Sequence, residues 1–207
     1  MGLRLAVAAF VMLIAGPAWA DLFKCVGKDG RVTYQAEPCA DVSQEQRLKA
    51  PMAEAAEAGP DGVSLISVSQ AARRISSRVG KPTVVLLYAT TCPLTRRMFP
   101  EFVALANRYR TRGVEFVVLS TDDERDFPHV AEFLAERKAP FEAVAIKPWA
   151  PGNLTRAMAP LGIEVGSTWT RPLLAVRDRS GRVVRQADAA VDLSWLGAAL
   201  DSAATIR

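Results

Sequence analysis

The sequence predicts an α/β domain, in which a mixed central sheet is flanked by helices. Two long apolar runs, "PTVVLLYA" and "GVEFVVLST", are typical of strands that are buried on both faces. Segments with apolar residues at helical spacing alternate with these runs along the chain. Because alternating strands and helices indicate a parallel sheet, most of the sheet should be parallel, and a hairpin near the C-terminus should add an antiparallel edge.

The predicted elements of this domain follow one another from about residue 62 to residue 207. The first helix has Ser67 or Ser69 as a candidate N-cap. A proline-rich loop around Trp149 either flanks a site or only connects two elements, and we expect the second. In chain order the elements are a helix in "SVSQAARRISSRV", the strand "PTVVLLYA", a long helix from Cys92 to about Tyr109, the strand "GVEFVVLST", a helix in "DDERDFPHVAEFLAERKA", a short strand in "FEAVAI", the hairpin of "RPLLAVRD" and "RVVRQAD", and a helix in "DLSWLGAALDSAA".

Residues 1–20 have the pattern of a secretory signal peptide. Arg4 precedes an apolar run that ends near Ala15, and an Ala-x-Ala pattern ends at Ala20. The apolar run is well short of the roughly 20 residues that span a bilayer, so we expect cleavage before Asp21 rather than a retained anchor. No other segment is apolar enough to predict a transmembrane helix. The mature protein is therefore expected in the periplasm.

Charge and composition exclude some classes of function. The chain has 26 basic and 22 acidic side chains, and the basic residues are scattered rather than grouped into a nucleic-acid-binding patch. The single histidine, His129, lies in a predicted helix, whereas a metal site needs several convergent donors. We therefore expect no nucleic-acid partner, no metal and no cofactor.

Three cysteines in an oxidising compartment leave one without a partner. Cys25 and Cys39 lie close together in residues 21–40, and Cys92 lies far from both. We expect a Cys25–Cys39 disulfide and a free Cys92. The segment 21–40 contains two short β-prone runs on either side of the turn "GKDG", so it predicts a small β-hairpin that the disulfide stabilises.

The pattern K-C-x-x-x-D-G-x-V-x-Y-x-x-x-P-C in residues 21–40 resembles a family of small domains of unknown function. These domains occur near the N-termini of secreted bacterial proteins, and the resemblance implies no activity. Residues 41–61 are rich in Ala, Glu, Gln and Pro and have few large apolar residues. We predict that they form a linker, partly helical, before the main domain of residues 62–207.

The segment "VVLLYATTCPLTRRMFPEF" resembles the V-V-x-x-F-W-A-T-W-C-x-P-C-x-x-x-x-P-E-L segment of periplasmic thioredoxin-like proteins of the TlpA and ResA type. Cys92 matches the first, nucleophilic cysteine, and Pro100 matches the proline of the long helix. The later segment "TWTRPLLAVRDRSGRVV" resembles the closing hairpin of that family. Pro172 takes the place of a proline that the family holds cis beside the cysteine. The likeness runs from about residue 62 to the end and implies a thioredoxin-like fold.

The resemblance and the physics of a helix terminus together suggest roles for the matched residues. Cys92 at a helix N-terminus lies near unpaired N–H groups, which favour a reactive thiolate. Pro93 at the first helical position loses no hydrogen bond, and Thr91 stands where the family has a tryptophan. In the family the residue before the cis-proline, here Arg171, offers its backbone to an incoming disulfide. Its guanidinium could recognise a carboxylate or an anionic thiol compound, or be an ordinary solvated arginine.

Two departures from the family alter the expected chemistry. Thr95 replaces the second cysteine, so it cannot resolve a mixed disulfide, although its hydroxyl could stabilise the Cys92 thiolate. Leu86 occupies the place where thioredoxins have a buried acid on the central strand. The sequence therefore excludes a self-contained dithiol cycle within this domain.

Two hypotheses for the function remain. In the first, the protein is a monothiol disulfide oxidoreductase. Cys92 forms a mixed disulfide with a client protein or a small thiol, and an external thiol, Cys25 or Cys39 resolves it. In the second, the domain is a non-catalytic binding module of the cell envelope that has kept the thioredoxin scaffold. We favour the first, because the cysteine, the helix proline and the candidate cis-proline are all retained. The client, the oligomeric state and the isomer of Pro172 are open at this point.

Overall fold

The computed structural model describes residues 22–26, 32–35, 44–48, 55–166, 169–189 and 192–205. The chain divides into two compact units, Met1–Glu54 and Ala55–Arg207, and each is described by itself. The predicted signal peptide, residues 1–20, lies outside the described residues.

The N-terminal unit contains a three-stranded antiparallel sheet. Strands β1 (Leu22–Val26) and β2 (Val32–Gln35) form the predicted antiparallel pair, and β3 (Gln44–Leu48) pairs with the other edge of β1. The segment "QEQRL" of β3 was expected to be linker, so the two-stranded hairpin of the prediction is corrected to three strands. The polar composition of this segment does not indicate a strand. The strand forms because it pairs with the free edge of β1.

The predicted disulfide of this unit is not tested by the described residues. Cys25 lies on β1 and is buried, with 4% of its surface exposed. Its expected partner, Cys39, lies outside the described residues. The Cys25–Cys39 disulfide therefore stays a prediction.

The C-terminal unit is a seven-stranded mixed sheet with helices on its faces, in the strand order β10-β9-β6-β7-β8-β5-β4. Strands β5 to β8 pair in parallel, while β9 is antiparallel to both β6 and β10, and β4 is antiparallel to β5. This is a thioredoxin-like α/β fold, as the sequence predicted. The elements are β4 (Glu57–Ala58), β5 (Ser64–Ile66), α1 (Val68–Ser76), β6 (Thr83–Tyr88), α2 (Pro93–Arg110), β7 (Glu115–Ser120), α3 (Pro128–Glu136), β8 (Val144–Ile146), α4 (Asn153–Met158), β9 (Leu173–Arg177), β10 (Val183–Asp188) and α5 (Ser194–Thr205).

Local sequence explains where the first helix of this unit begins. Ser67 is its N-cap and forms a capping box, in which the Ser67 hydroxyl accepts the N–H of Gln70 at 3.3 Å and the Gln70 side chain accepts the N–H of Ser67. Of the two candidate caps, Ser67 is therefore the one that the structure uses.

The central strand β6 lies between two apolar layers, and all six of its residues are buried. Side chains alternate along a strand, so Leu86 and Tyr88 enter one cluster of core residues and Val85 and Leu87 enter the other. The first cluster contains a group of packed aromatic rings, with Phe99 and Phe133 centred 4.7 Å apart. Burial on both faces explains why β6 is an uninterrupted apolar run. The candidate site lies just after the C-terminal end of this strand.

Two short strands and a short α-helix of this unit lie where the sequence predicted none. Strands β4 and β5 precede α1, so the compact unit begins at Ala55 rather than at residue 62. Helix α4 follows the proline-rich loop around Trp149 and begins after Gly152, whose φ of 78° lies in the left-handed region. Elements of two to six residues are too short for their periodicity to be recognised.

Candidate functional site at the start of helix α2

Cys92 lies between the end of strand β6 and the first turn of helix α2. It is the N-cap residue of α2, with extended backbone angles (φ −74°, ψ 122°), and Pro93 is the first helical residue. Cys92 is half-buried, and it is a free cysteine among the described residues. The structure therefore places a free thiol at the N-terminus of an 18-residue helix, as the sequence predicted.

The fold brings the Arg171–Pro172 peptide against this thiol. The Cys92 Sγ–H donates a hydrogen bond to the carbonyl oxygen of Arg171, with 3.4 Å between sulfur and oxygen. The Arg171–Pro172 peptide bond is cis, and Pro172 is buried at the start of β9. Residues 79 positions apart in sequence thus share one site, as the family resemblance implied.

The residues around the sulfur differ in exposure. Thr91 and Pro93 are exposed on either side of Cys92 and are free to contact a ligand. Thr95, one turn further along α2, is fully buried, and its hydroxyl has no hydrogen-bond partner in the described part of the chain. The predicted hydrogen bond from Thr95 to the Cys92 sulfur is therefore not formed in this structure.

A buried carboxylate that the sequence analysis missed secures the turn that carries Cys92. Asp122 follows the end of β7 and is 5% exposed. Both of its oxygens accept the N–H of Thr90 at 2.9 Å, and Oδ1 also accepts the Thr90 hydroxyl at 3.0 Å. Oδ2 accepts the hydroxyl of Ser120 at 2.7 Å. Asp122 therefore holds the backbone two residues before Cys92.

Asp122 also affects a buried phenol on the central strand. Burial and, as a smaller contribution, the negative charge of Asp122 raise the pKa of Tyr88 well above its ordinary value. Tyr88 is therefore neutral at any physiological pH. Leu86 lies in an apolar cluster, and the buried acid near the turn is Asp122, two residues after the end of β7.

Arg171 is held in a defined orientation by neutral partners. Its Nε donates to the hydroxyl of Thr121 at 2.7 Å, and a terminal nitrogen donates to the Thr121 carbonyl at 3.2 Å. The guanidinium carbon lies 5.0 Å from the centre of the Trp169 ring. The side chain is partly buried, so it differs from the freely solvated arginine that the sequence left open.

Two further arginines lie near the start of α2, and the single histidine lies on α3. Arg96 donates from Nε to the carbonyl of Thr90 at 2.7 Å, and Arg97 is exposed. The His129 side chain is 62% exposed on α3. In the part of the chain that the structure describes, no three His, Cys, Asp or Glu side chains converge as they would around a metal ion. Within the same residues, none of the helices is both long and apolar enough to cross a lipid bilayer.

Comparison with known proteins gives the class of the main domain. Residues 53–187 match the Redoxin family, so the chain belongs to this family. Residues 9–62 match a domain of unknown function, DUF4124. No curated protein matches the chain. The family and the thioredoxin-like fold support a thiol–disulfide redox role for the main domain.

Several solved structures are similar to this chain at low sequence identity. A thiol:disulfide interchange protein of the thioredoxin family from Chlorobium tepidum is 20% identical, with 92% of this chain and 98% of that chain covered and a TM-score of 0.46. A secreted Mycobacterium tuberculosis disulfide oxidoreductase, homologous to E. coli DsbE, is 18% identical, with 61% and 85% covered and a TM-score of 0.45. An uncharacterised conserved protein from Geobacillus kaustophilus is 19% identical, with 74% and 84% covered and a TM-score of 0.48.

Proposed function

We propose that the protein carries out thiol–disulfide exchange through the single cysteine Cys92. One observation carries the proposal: Cys92 is a free, half-buried cysteine at the N-cap of α2, and its sulfur contacts the carbonyl of Arg171, next to Pro172. Membership of the Redoxin family supports it. Thr95 contains no sulfur, so the exchange has no second cysteine within the first turn of the helix.

The proposed reaction has two balanced steps. The Cys92 thiolate attacks one sulfur of a disulfide R–S–S–R, which forms a Cys92–S–S–R bond and releases R–S⁻, which then takes up a proton. Cys92 is oxidised in this step, and the departing sulfur is reduced. A second thiolate, R′–S⁻, then attacks the sulfur of R in the mixed disulfide, which forms R–S–S–R′ and releases the Cys92 thiolate. The second thiol is an external one, because the proposal places Cys25 and Cys39 in a disulfide with each other.

The proposal includes the setting of the mature protein. Residues 1–20 are removed as a signal peptide, and the protein acts in the periplasm. The Cys25–Cys39 disulfide then stabilises the small N-terminal sheet, which includes β3, and a short linker joins this unit to the thioredoxin-like unit that begins at Ala55. Thr91, Pro93 and Arg171 contact the thiol compound or client that exchanges with Cys92. The pattern of residues 1–20 supports export.

A turnover assay with a Cys92→Ser variant tests the proposed function. The mature protein is expected to accelerate the reduction of 2-hydroxyethyl disulfide by reduced glutathione, because the thiolate of Cys92 starts each exchange. Cys92→Ser is expected to lower this rate at least about tenfold, since a hydroxyl is a far weaker nucleophile than a thiolate. The matched control is Thr111→Ser, an exposed position at the far end of α2. Equal rates for the wild type and Cys92→Ser would reject catalysis and favour the binding-module hypothesis.

A further inference from the structure

Building on the proposed single-cysteine exchange, we infer that Arg171 and Trp169 form a recognition site for a small disulfide that carries a carboxylate. The exchange partner of Cys92 is then an anionic thiol compound of about tripeptide size. Arg171 is the specificity-determining residue for this partner.

The guanidinium of Arg171 has unused capacity for hydrogen bonds. Arginine has five N–H donors in a planar fork, and Thr121 receives two of them, one at its hydroxyl and one at its carbonyl. Both acceptors are neutral, and within the described residues Arg171 has no carboxylate partner. Within the described residues the partly buried positive charge therefore has no anionic partner, and an incoming carboxylate could form charge-assisted hydrogen bonds with the remaining donors.

Arg171 also lies at the reacting sulfur. Its own carbonyl oxygen is 3.4 Å from the Cys92 sulfur, and its side chain is fixed by Thr121 and by the Trp169 ring. A disulfide that reaches the Cys92 sulfur must therefore dock against residue 171. The rigid placement of the guanidinium lowers the conformational entropy that binding a carboxylate would otherwise cost.

A groove beside Trp169 can hold the body of such a compound. Its volume is about 450 Å³, within the range of small-molecule sites, and its wall includes the rings of Trp149 and Trp169. Arg156 on the same wall is exposed and donates to Asn153. The groove thus combines apolar surface with a second guanidinium. The loop around Trp149, expected only to connect elements, therefore contributes to a groove next to the site.

The test compares two disulfides that differ in charge. The rate of adduct formation at Cys92 is measured by intact mass and peptide mapping, with glutathione disulfide, which carries carboxylates, and with neutral 2-hydroxyethyl disulfide. For Arg171→Gln, the rate with glutathione disulfide is expected to fall about tenfold. A decrease of this size corresponds to the loss of one charge-assisted hydrogen bond. The rate with the neutral disulfide should stay within about twofold. Arg171→Lys should recover only part of the loss, because lysine lacks the planar fork.

Arg185→Gln is the matched control. Arg185 lies with its guanidinium carbon 5.0 Å from the centre of the Trp195 ring, so the variant removes the same charge from the same kind of contact elsewhere in the domain. It is expected to leave both rates unchanged. If Arg171→Gln lowers both rates equally, Arg171 is structural and the inference is overturned. If Cys92 forms an adduct with a disulfide-linked acidic decapeptide as fast as with glutathione disulfide, the inferred limit to small compounds is overturned.

The two possible failures are distinguishable. If neither disulfide reacts with Cys92 in the wild type, the proposed exchange itself fails. If both react and Arg171→Gln changes neither rate, the exchange stands and only the recognition of a carboxylate is rejected.

Discussion

Replacing Thr95 with cysteine is expected to turn a persistent mixed disulfide at Cys92 into one that is resolved within the domain. Residue 95 lies three positions after Cys92, on the first turn of α2, and side chains at this spacing are neighbours. The new thiol would attack the Cys92 sulfur at a high effective concentration. We expect the lifetime of the mixed disulfide to fall at least about tenfold in Thr95→Cys, with an intramolecular disulfide as the product.

The measurement is the decay of a preformed adduct between Cys92 and 2-hydroxyethanethiol, followed by mass spectrometry without added thiol. Thr95→Val is the matched control, since it keeps the size of the side chain and adds no sulfur. Its adduct should persist as in the wild type. It should also be as stable as the wild type or more stable, because the Thr95 hydroxyl is buried without a partner in the described residues. Equal decay of the adduct in Thr95→Cys and the wild type would show that the two positions are not placed for exchange.

Removing the carboxylate of Asp122 is expected to have the second large effect. Asp122→Ala leaves the N–H and hydroxyl of Thr90 and the hydroxyl of Ser120 without their acceptor in a buried place. An unsatisfied buried polar group typically costs about 1–3 kcal/mol. We therefore expect the free energy of unfolding to fall by about 2–4 kcal/mol. The turn before Cys92 also loses the contacts that Asp122 makes with it, so the reaction of Cys92 with a neutral disulfide should slow in the folded protein.

Urea unfolding and the rate of adduct formation at Cys92 measure these two effects separately. Asp123→Ala is the matched control, because the neighbouring Asp123 side chain is 78% exposed. Its stability should stay within about 0.5 kcal/mol of the wild type, as for most surface substitutions. A loss below about 1 kcal/mol in Asp122→Ala would contradict the anchoring role derived from its hydrogen bonds. If the rate of adduct formation at Cys92 is unchanged in folded Asp122→Ala, Asp122 contributes to stability and not to the reaction of Cys92.

The main elements of the fold could be predicted because their sequence patterns are determined by burial. The runs of β6 and β7 are continuous because core clusters lie on both faces of the sheet. Helices α1 and α2 could be predicted from a capping serine and from a proline after Cys92. In each case a local signal and the tertiary environment favour the same structure.

The elements that were missed are determined by partners rather than by their own sequence. The polar strand β3 forms because an edge of β1 is available, and β4 is only two residues long. Helix α4 follows a proline-rich loop and has six residues. Composition and periodicity carry little information at these lengths.

The candidate site was predictable only in part for a similar reason. Cys92 and Pro172 belong to motifs that are recognisable in the sequence, and the structure brings them together. Asp122 has a weaker signal, as the first acid after a buried strand, and it lies at the start of a segment that the sequence predicts to be a helix. Its role depends on the contact between the end of β7 and Thr90, 32 residues earlier, which no local pattern reveals.

The most direct test of the central claim is the rate at which Cys92 reacts with a neutral disulfide in the folded protein, compared with the urea-unfolded protein. Peptide mapping separates Cys92 from Cys25 and Cys39. If Cys92 is a working nucleophile at the N-terminus of α2, the folded protein should react at least as fast as the unfolded chain. If Cys92 reacts only after unfolding, the site is not an exchange site and the domain is a binding module.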